Sequence, residues 1–233
     1  MPPHDVYIEP FLGGGAIWRL KRPARVNIGR DLCGFAIAQF LDAAACVSGL
    51  PRSLDPAIVD SDLVPSFDVA VGDGLSFLES YAFGRGELVY CDPPYVMAAR
   101  SKRRMYEFEF SSIDHRRLLR WAIAARDSCS IMISGYDSSL YEKRLVGWNS
   151  IQFESMTRGG YTKTEHVWFN FAPPVELHDY SYLGSNFRER ERIKRMKQRW
   201  TARLGRMPVL QRQALLSAIS ESSFSASADA RIR

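Results

Sequence analysis

The chain has 233 residues, 46% of them hydrophobic and 24% charged, which predicts one soluble globular domain with a substantial core. No apolar run is long enough to span a bilayer and the N-terminus lacks the form of a signal peptide, so the sequence predicts a cytoplasmic protein with no membrane partner. The net charge of +5 favours a polyanionic partner. Four cysteines form no CxxC pair, which predicts reduced core thiols and no metal site.

Short apolar segments alternate with segments of helical periodicity along the chain. The predicted strands are 6–8, 25–28, 67–71, 87–91 and 130–134, and the predicted helices between them are 16–20, 37–47, 75–81 and 115–126. Such alternation needs crossover connections and predicts an α/β fold with a mostly parallel sheet. Two later segments, 150–154 and 166–171, follow each other without a clear helix and predict an antiparallel edge pair.

Distinctive residues lie at the end of each of the first four predicted strands or just after it. They are Gly13-Gly14-Gly15, Asn27, Gly72-Asp73-Gly74 and Asp92-Pro93-Pro94-Tyr95. Ligands of open parallel sheets bind outside the carboxyl ends of the strands, so these residues are predicted to face one crevice. Each segment taken alone also suits an ordinary turn or cap, and their succession on four strands is what favours a ligand site.

Each of these segments has a predicted role in the crevice. The glycines would let the backbone approach a ligand closely. Asn27 is predicted to hydrogen-bond ribose hydroxyls, and Asp73 is predicted to accept a hydrogen bond from the adenine amine of a cofactor.

Asp92-Pro93-Pro94-Tyr95 carries the predicted chemistry. The two prolines stop the hydrogen-bond ladder of the strand before them, so the chain turns and leaves a carboxylate, a carbonyl and an aromatic ring facing the crevice. Asp92 and the Pro93 carbonyl can accept both hydrogens of an exocyclic NH2 group, while Tyr95 offers a stacking face. An adenine amine is therefore the predicted target.

These residues resemble a known family, the Dam-type N6-adenine DNA methyltransferases. Residues 7–16, Tyr-Ile-Glu-Pro-Phe-Leu-Gly-Gly-Gly-Ala, are similar to the first motif of the family, and Asp92-Pro93-Pro94-Tyr95 is similar to its catalytic motif. Similarity continues through segments 114–115, 133–136, 141–148, 157–160 and 165–170.

The resemblance implies a Rossmann-like methyltransferase sheet and transfer of a methyl group from S-adenosylmethionine to an adenine flipped out of double-stranded DNA, without a metal. It implies catalytic roles for Asp92, Pro93, Pro94 and Tyr95. The residues that it implies for the cofactor are Tyr7, Glu9, Pro10, Phe11, Gly13, Gly15, Asn27, Asp73 and Asp92.

Two departures from the family pattern favour weak cofactor binding. The Gly-Lys segment that family members carry before the first motif has no counterpart here, and Asn27 stands where the second strand commonly ends in an acidic residue. A non-catalytic DNA-binding member of the family therefore stays as an alternative. An RNA adenine methyltransferase is a second alternative, because the same catalytic tetrapeptide serves that chemistry and a basic tail binds either polymer through phosphates. Small stand-alone members of the family resemble the enzymes of phages and mobile elements, which is an analogy at the level of the family. A cognate restriction enzyme stays open as a partner.

Two basic segments are the main predicted nucleic-acid contacts. The loop after the catalytic motif contributes Arg100, Lys102, Arg103 and Arg104, and a predicted helix over 186–206 contributes Arg188, Arg192, Arg195 and Arg199, with Arg158 as a further contact. A solvated loop and an exposed helix with internal Glu/Arg pairs are the alternatives. The predicted organisation is a catalytic domain over 1–184, a basic helical tail over 185–222 that includes a short helix over 208–219, and disorder over 223–233.

Overall fold

A computed structural model describes residues 1–46, 64–95, 108–156, 160 and 162–229 of the chain. The chain divides into two units, Met1–Asp179 and Tyr180–Arg233.

The first unit is built on a seven-stranded sheet. Its strands are β1 (Val6–Glu9), β2 (Val26–Asp31), β3 (Ser66–Val71), β4 (Glu87–Cys91), β5 (Ser130–Tyr136), β6 (Asn149–Met156) and β7 (Thr162–Phe169). Their order in the sheet is β3-β2-β1-β4-β5-β7-β6. The first five strands are parallel, whereas β7 is antiparallel to both β5 and β6. The predicted α/β class, the mostly parallel sheet and the antiparallel edge pair are confirmed.

Five helices of this unit connect the strands: α1 (Ala16–Leu20), α2 (Gly34–Cys46), α3 (Gly74–Ser80), α4 (Ser112–Ala125) and α5 (Ser139–Arg144). Side-chain caps fix where α3 and α4 begin. Asp73 accepts hydrogen bonds from the backbone N–H groups of the first turn of α3, and Ser111 forms a capping box with Asp114 at the start of α4.

The main core lies between the sheet and the helices α3 and α4. It includes Ile8 of β1, Val89 of β4, Ile131 of β5 and Leu118 of α4, each at most 1% exposed. All five residues of β4 are buried, which explains the apolar run over its last four positions. Burial of these parallel strands fixes their carboxyl ends at one edge of the sheet. The strand order reverses between β1 and β4. Open α/β sheets bind ligands at the carboxyl ends of the strands beside such a reversal.

The second unit contains the helices α6 (Phe187–Gly205) and α7 (Val209–Asp229). Asn186 caps α6 by accepting a hydrogen bond from the N–H of Glu189. The sequence predicted that the last helix ends at Ile219, whereas α7 continues to Asp229, because the segment after Ile219 is rich in Ser and Ala and has no Gly or Pro to stop it. Among the described residues, no helix is both long and apolar enough to cross a membrane.

Candidate functional site

A cavity of about 740 Å³ opens at the carboxyl ends of the parallel strands, within the size range of small-molecule sites. Its walls come from the loops after β1, β2, β3 and β4 and from the start of α4. The lining residues are Pro10, Phe11, Gly13, Asp31, Leu32, Cys33, Phe35, Ala36, Asp73, Gly74, Leu75, Asp92, Pro94, Phe108, Glu109, Phe110, Asp114 and Arg117. Three of the four segments predicted to face one crevice contribute to this wall, through Gly13, Asp73-Gly74, and Asp92 with Pro94.

The glycine turn after β1 takes a backbone conformation that other residues rarely adopt. Gly13 has φ +47° and Gly15 has φ +62°, both in the left-handed region. A side chain at position 15 would also overlap the ring of Phe40. Gly13 lines the cavity, whereas Gly15 shapes the turn into α1.

Asp31 ends β2 and forms part of the cavity wall. Its Oδ2 accepts a hydrogen bond from the N–H of Gly13 at 2.7 Å, and its Oδ1 accepts one from the N–H of Cys33 at 2.8 Å. These two bonds join the loops after β1 and β2 and fix the carboxylate. A carboxylate has about four acceptor positions, so acceptor capacity remains for a ligand.

The predicted placement of Asn27 at the end of the second strand is wrong, because β2 continues to Asp31. Asn27 is 2% exposed and lies outside the cavity lining. Its amide accepts a hydrogen bond from the N–H of Ala24 and donates to the carbonyls of Ala24 and Ser66. Asn27 therefore fixes the start of β2 against β3. The acidic residue at the strand end, which the sequence analysis found missing, is Asp31.

Asp73 lines the cavity, but its carboxylate is used largely within the fold. It accepts hydrogen bonds from the N–H groups of Leu75 and Ser76, each at 3.2 Å, and from the Ser76 hydroxyl at 2.5 Å. Arg117 adds an ion pair at 3.6 Å. The next residue, Gly74, lies so close to the Pro10 carbonyl that a side chain there would overlap it. The turns after β1 and β3 therefore meet at this point.

Asp92 follows β4 directly and is accessible from the cavity. Its Oδ1 accepts a hydrogen bond from the Ser134 hydroxyl at 2.8 Å, and Ser134 in turn accepts one from the Tyr90 hydroxyl at 3.2 Å. Desolvation by the surrounding protein raises the pKa of Asp92 above the ordinary value of an aspartate, although the bond from Ser134 opposes that shift. The backbone turns at Pro93, which is buried, and Pro94 lines the cavity.

A carboxylate and a second aromatic ring hold Tyr95. The Tyr95 hydroxyl donates to Glu165 Oε2 at 3.2 Å, and the other oxygen of Glu165 accepts a hydrogen bond from Ser155 at 2.5 Å. The ring of Tyr136 meets that of Tyr95 edge-on, with 4.5 Å between the ring centroids. These contacts hold the Tyr95 ring in a fixed orientation at the end of the sheet.

Tyr7 and Glu9, two residues of the first motif, are buried and lie outside the cavity lining. The Tyr7 hydroxyl donates to Glu9 Oε2 at 2.9 Å. Burial raises the pKa of Glu9 to about 8, so this carboxyl is mostly protonated at neutral pH. Of the other predicted cofactor residues, the structure brings Pro10, Phe11, Gly13, Asp73 and Asp92 together on the cavity wall.

The predicted nucleic-acid contacts divide between undescribed and described parts of the chain. Arg100, Lys102, Arg103, Arg104 and Arg158 lie outside the described residues. Arg188, Arg192, Arg195 and Arg199 are exposed on α6 in the second unit. Over the described ranges, no group of three or more His, Cys, Asp or Glu side chains could hold a metal ion.

Sequence reasoning assigned no role to Asp31, Ser134, Glu165 or Phe110. Asp31 had a detectable signal, since it is the acidic residue just before the helix that follows the second strand. Ser134 and Glu165 act through contacts across strands, and no local pattern marks them. Phe110 packs edge-on against Phe11, with 5.3 Å between centroids, from a loop that precedes α4.

No protein-family model matches this chain, and no curated protein matches it. Solved structures do match. A candidate RNA methyltransferase from Pyrococcus horikoshii is 12% identical, with 72% of this chain and 74% of that chain covered and a TM-score of 0.42. An rRNA methylase from Streptococcus thermophilus is 10% identical, with 72% and 87% covered and a TM-score of 0.42.

A candidate methyltransferase from Streptococcus mutans, solved in complex with S-adenosylhomocysteine, is 8% identical, with 72% of this chain and 90% of that chain covered and a TM-score of 0.42. At this level of likeness none of these chains defines an activity for this protein.

Proposed function

We propose that this protein is an S-adenosylmethionine-dependent N6-adenine methyltransferase that acts on DNA, with its chemistry in the unit Met1–Asp179. The observation that carries the proposal is the position of Asp92. Asp92 directly follows β4, where the strand order of the sheet reverses. Its carboxylate accepts a hydrogen bond from Ser134 and faces the cavity that the glycine turn and Asp31 help to form.

The charge of the cavity favours a cationic cofactor. Five acidic side chains and one arginine line it, namely Asp31, Asp73, Asp92, Glu109, Asp114 and Arg117. A dinucleotide would bring its phosphates against these carboxylates, whereas a sulfonium ligand would be attracted to them. The residues present therefore fit S-adenosylmethionine better than the phosphate-bearing cofactors of other Rossmann-like sheets.

The walls of the cavity also suit the parts of a nucleoside. Asp31 has acceptor capacity for ribose hydroxyls, and Phe11 and Phe110 provide aromatic surface for a base. When bound, S-adenosylmethionine supplies an electrophilic methyl group on its sulfonium.

The chain itself contributes alignment and hydrogen-bond acceptors. Asp92 and the Pro93 carbonyl would accept the two hydrogens of the adenine amine, which draws the nitrogen lone pair out of conjugation with the ring. Tyr95 would stack on the base after it has left the duplex, a step that costs a few kcal/mol. Ser134 limits the freedom of the Asp92 carboxylate, and Glu165 limits that of the Tyr95 hydroxyl. Such positioning is worth several kcal/mol of activation free energy.

The assignment to DNA is based on the resemblance of residues 7–16 and of Asp92-Pro93-Pro94-Tyr95 to the Dam-type family. The test is transfer of a labelled methyl group from S-adenosylmethionine to unmethylated plasmid DNA, with total RNA as a parallel substrate. Asp92→Asn is the informative variant because it keeps the size of the side chain and removes its charge. Asp137→Asn, at an exposed position after β5, is the matched control.

We expect N6-methyladenine in the DNA with the wild type and with the control, and transfer that is slower by about 10²- to 10³-fold with Asp92→Asn. Label in RNA alone would replace the DNA assignment with the RNA alternative. A folded protein that labels neither polymer would contradict the proposal and favour the non-catalytic alternative.

A further inference from the structure

Helix α6 carries a high density of exposed positive charge. It has eight basic and two acidic residues, which leaves a net charge of +6, and none of its residues is buried. Its length of nineteen residues corresponds to about 28 Å. A charged helix of this kind can be a solvated surface with internal ion pairs or a surface that binds an anion. The arrangement of its charges distinguishes these two possibilities.

The basic residues of α6 fall on two separate faces. At about 100° per residue, every residue within an arc of about 80° is an arginine. These residues, called the arginine face here, are Arg188, Arg192, Arg195, Arg199 and Arg203. The remaining basic residues, Arg190, Lys194 and Lys197, lie about 170° away and are called the opposite face.

The two faces differ in how their charges are used. On the opposite face, Arg190 donates to the Gly184 carbonyl at 3.3 Å and Lys197 donates to the Tyr180 carbonyl at 3.2 Å. Lys194 makes an exposed ion pair with Glu191 at 3.8 Å, so the two bonds to backbone carbonyls are what distinguishes this face. On the arginine face, the one ion pair within the described residues joins Arg192 to Glu189 at 3.8 Å, where the arginine side chain is 72% exposed. Exposed pairs of this kind contribute little, so the guanidinium groups keep their capacity to bind anions.

The shape of the arginine face suits a long polyanion. One groove of about 870 Å³ is lined by Arg188, Arg192, Arg195 and Arg199 together with Phe187, Glu191, Met196 and Gln198, which leaves a net positive lining. From Arg188 to Arg203 the row extends over about 22 Å, which is longer than any single small anion. Guanidinium groups bind phosphate bidentately, and a DNA duplex carries one charge per about 1.7 Å of its axis. A face that inserts into a membrane would need apolar residues within the arc, and this arc has none.

We propose that the arginine face of α6 is a docking surface for the phosphate backbone of nucleic acid. The choice of nucleic acid over another polyanion depends on the proposed function. Phosphate contacts of this type set position and affinity without reading a sequence. Trp200, half-exposed on the same helix, gives a neighbouring aromatic surface.

The test uses the full chain without cofactor and a fluorescein-labelled 30-base-pair DNA duplex, with binding measured by anisotropy between about 50 and 200 mM KCl. One variant combines Arg192→Gln, Arg195→Gln and Arg199→Gln. Its matched control combines Arg190→Gln, Lys194→Gln and Lys197→Gln, which removes the same charge from the same helix. Glutamine keeps the helix propensity, and circular dichroism checks the helix content.

We expect the arginine-face variant to bind more than tenfold more weakly at 100 mM KCl and to lower the magnitude of the log–log salt slope by about 2 to 3, since each phosphate contact contributes about 0.9. The control should change that slope by less than about 1. Equal effects of the two variants would overturn the proposal, because net charge alone would then explain binding.

Two parallel measurements separate the remaining outcomes. Binding to phosphatidylserine vesicles without binding to the duplex or to a hairpin RNA would overturn the proposal in favour of a membrane surface. Methyl transfer by the wild type, together with unchanged duplex binding by the arginine-face variant, would overturn this proposal alone and leave the proposed function standing.

Discussion

The turns after β3 and β4 each place an aspartate on the wall of the same cavity, yet the two carboxylates have different environments. Asp73 accepts three hydrogen bonds within α3 and pairs with Arg117. Asp92 accepts a hydrogen bond from Ser134 and is accessible from the cavity. The position of an aspartate at a strand end therefore predicts where its side chain lies. The number of hydrogen bonds that its carboxylate can still accept decides whether the aspartate can take part in chemistry.

The largest expected effect is a difference in the rate of methyl transfer between variants of these two aspartates. Asp92→Asn should lower single-turnover methyl transfer by about 10²- to 10³-fold, or about 3 to 4 kcal/mol, because a hydrogen-bond acceptor of the reacting amine loses its charge. Asp73→Asn should stay within about threefold of the wild type, since asparagine also caps helices. Equal losses in the two variants, measured at saturating cofactor, would remove the distinction between the two turns.

Glu9 extends the comparison to a carboxyl that is enclosed completely. Burial raises its pKa to about 8, above the ordinary value of 4.5, so the folded state holds the proton more tightly than the unfolded state. Its contribution to stability is complete at low pH and is lost as pH rises through about 8. The free energy of unfolding should therefore fall by about 3 kcal/mol between pH 6 and pH 9 from this group.

Glu9→Gln keeps an acceptor for Tyr7 and cannot ionise. Urea unfolding of this variant should show a smaller decline from pH 6 to pH 9 than the wild type shows. Parallel pH profiles for the two proteins would mean that Glu9 has an ordinary pKa.

A third comparison concerns the two polar residues of β2. Asp31→Ala should raise the dissociation constant for S-adenosylmethionine about tenfold or more, about 1.4 kcal/mol, because a charged acceptor is lost from the cavity wall. Asn27→Ala should leave the dissociation constant unchanged and lower stability by about 1 to 3 kcal/mol, because it leaves buried backbone groups unsatisfied. Isothermal titration and urea unfolding give the two quantities, and a reversed pattern would restore the assignment made from sequence.

The smallest effect concerns the cap of α3. Asp73→Ala should lower stability by about 1 kcal/mol, which corresponds to about 2 to 4 °C in melting temperature, because it removes the acceptor for two backbone N–H groups. Ser111→Ala at the start of α4 is the matched control and should cost a similar amount. A loss of cofactor affinity without a loss of stability would show that Asp73 belongs to ligand binding instead.

Local patterns were sufficient for most of the fold and for part of the cavity wall. β4 was predicted with its bounds because all its residues are buried and two prolines stop it. The end of β2 was misplaced because Gly29 and Arg30 interrupt the apolar run, although the parallel ladder with β3 continues to Asp31. Ser134 and Glu165 could not be assigned because their roles come from partners 42 and 70 residues away.

Because β7 runs antiparallel to β5, Glu165 reaches Tyr95 from near the end of the first unit. The residues that line the cavity all lie between positions 10 and 117. As the ribosome releases the chain from its N-terminus, the walls of the cavity emerge well before the residue that orients the tyrosine, and contacts of long sequence separation form late. We therefore expect a nascent chain stalled before β7 to hold the residues for the small molecule while still lacking Glu165, the residue that orients Tyr95.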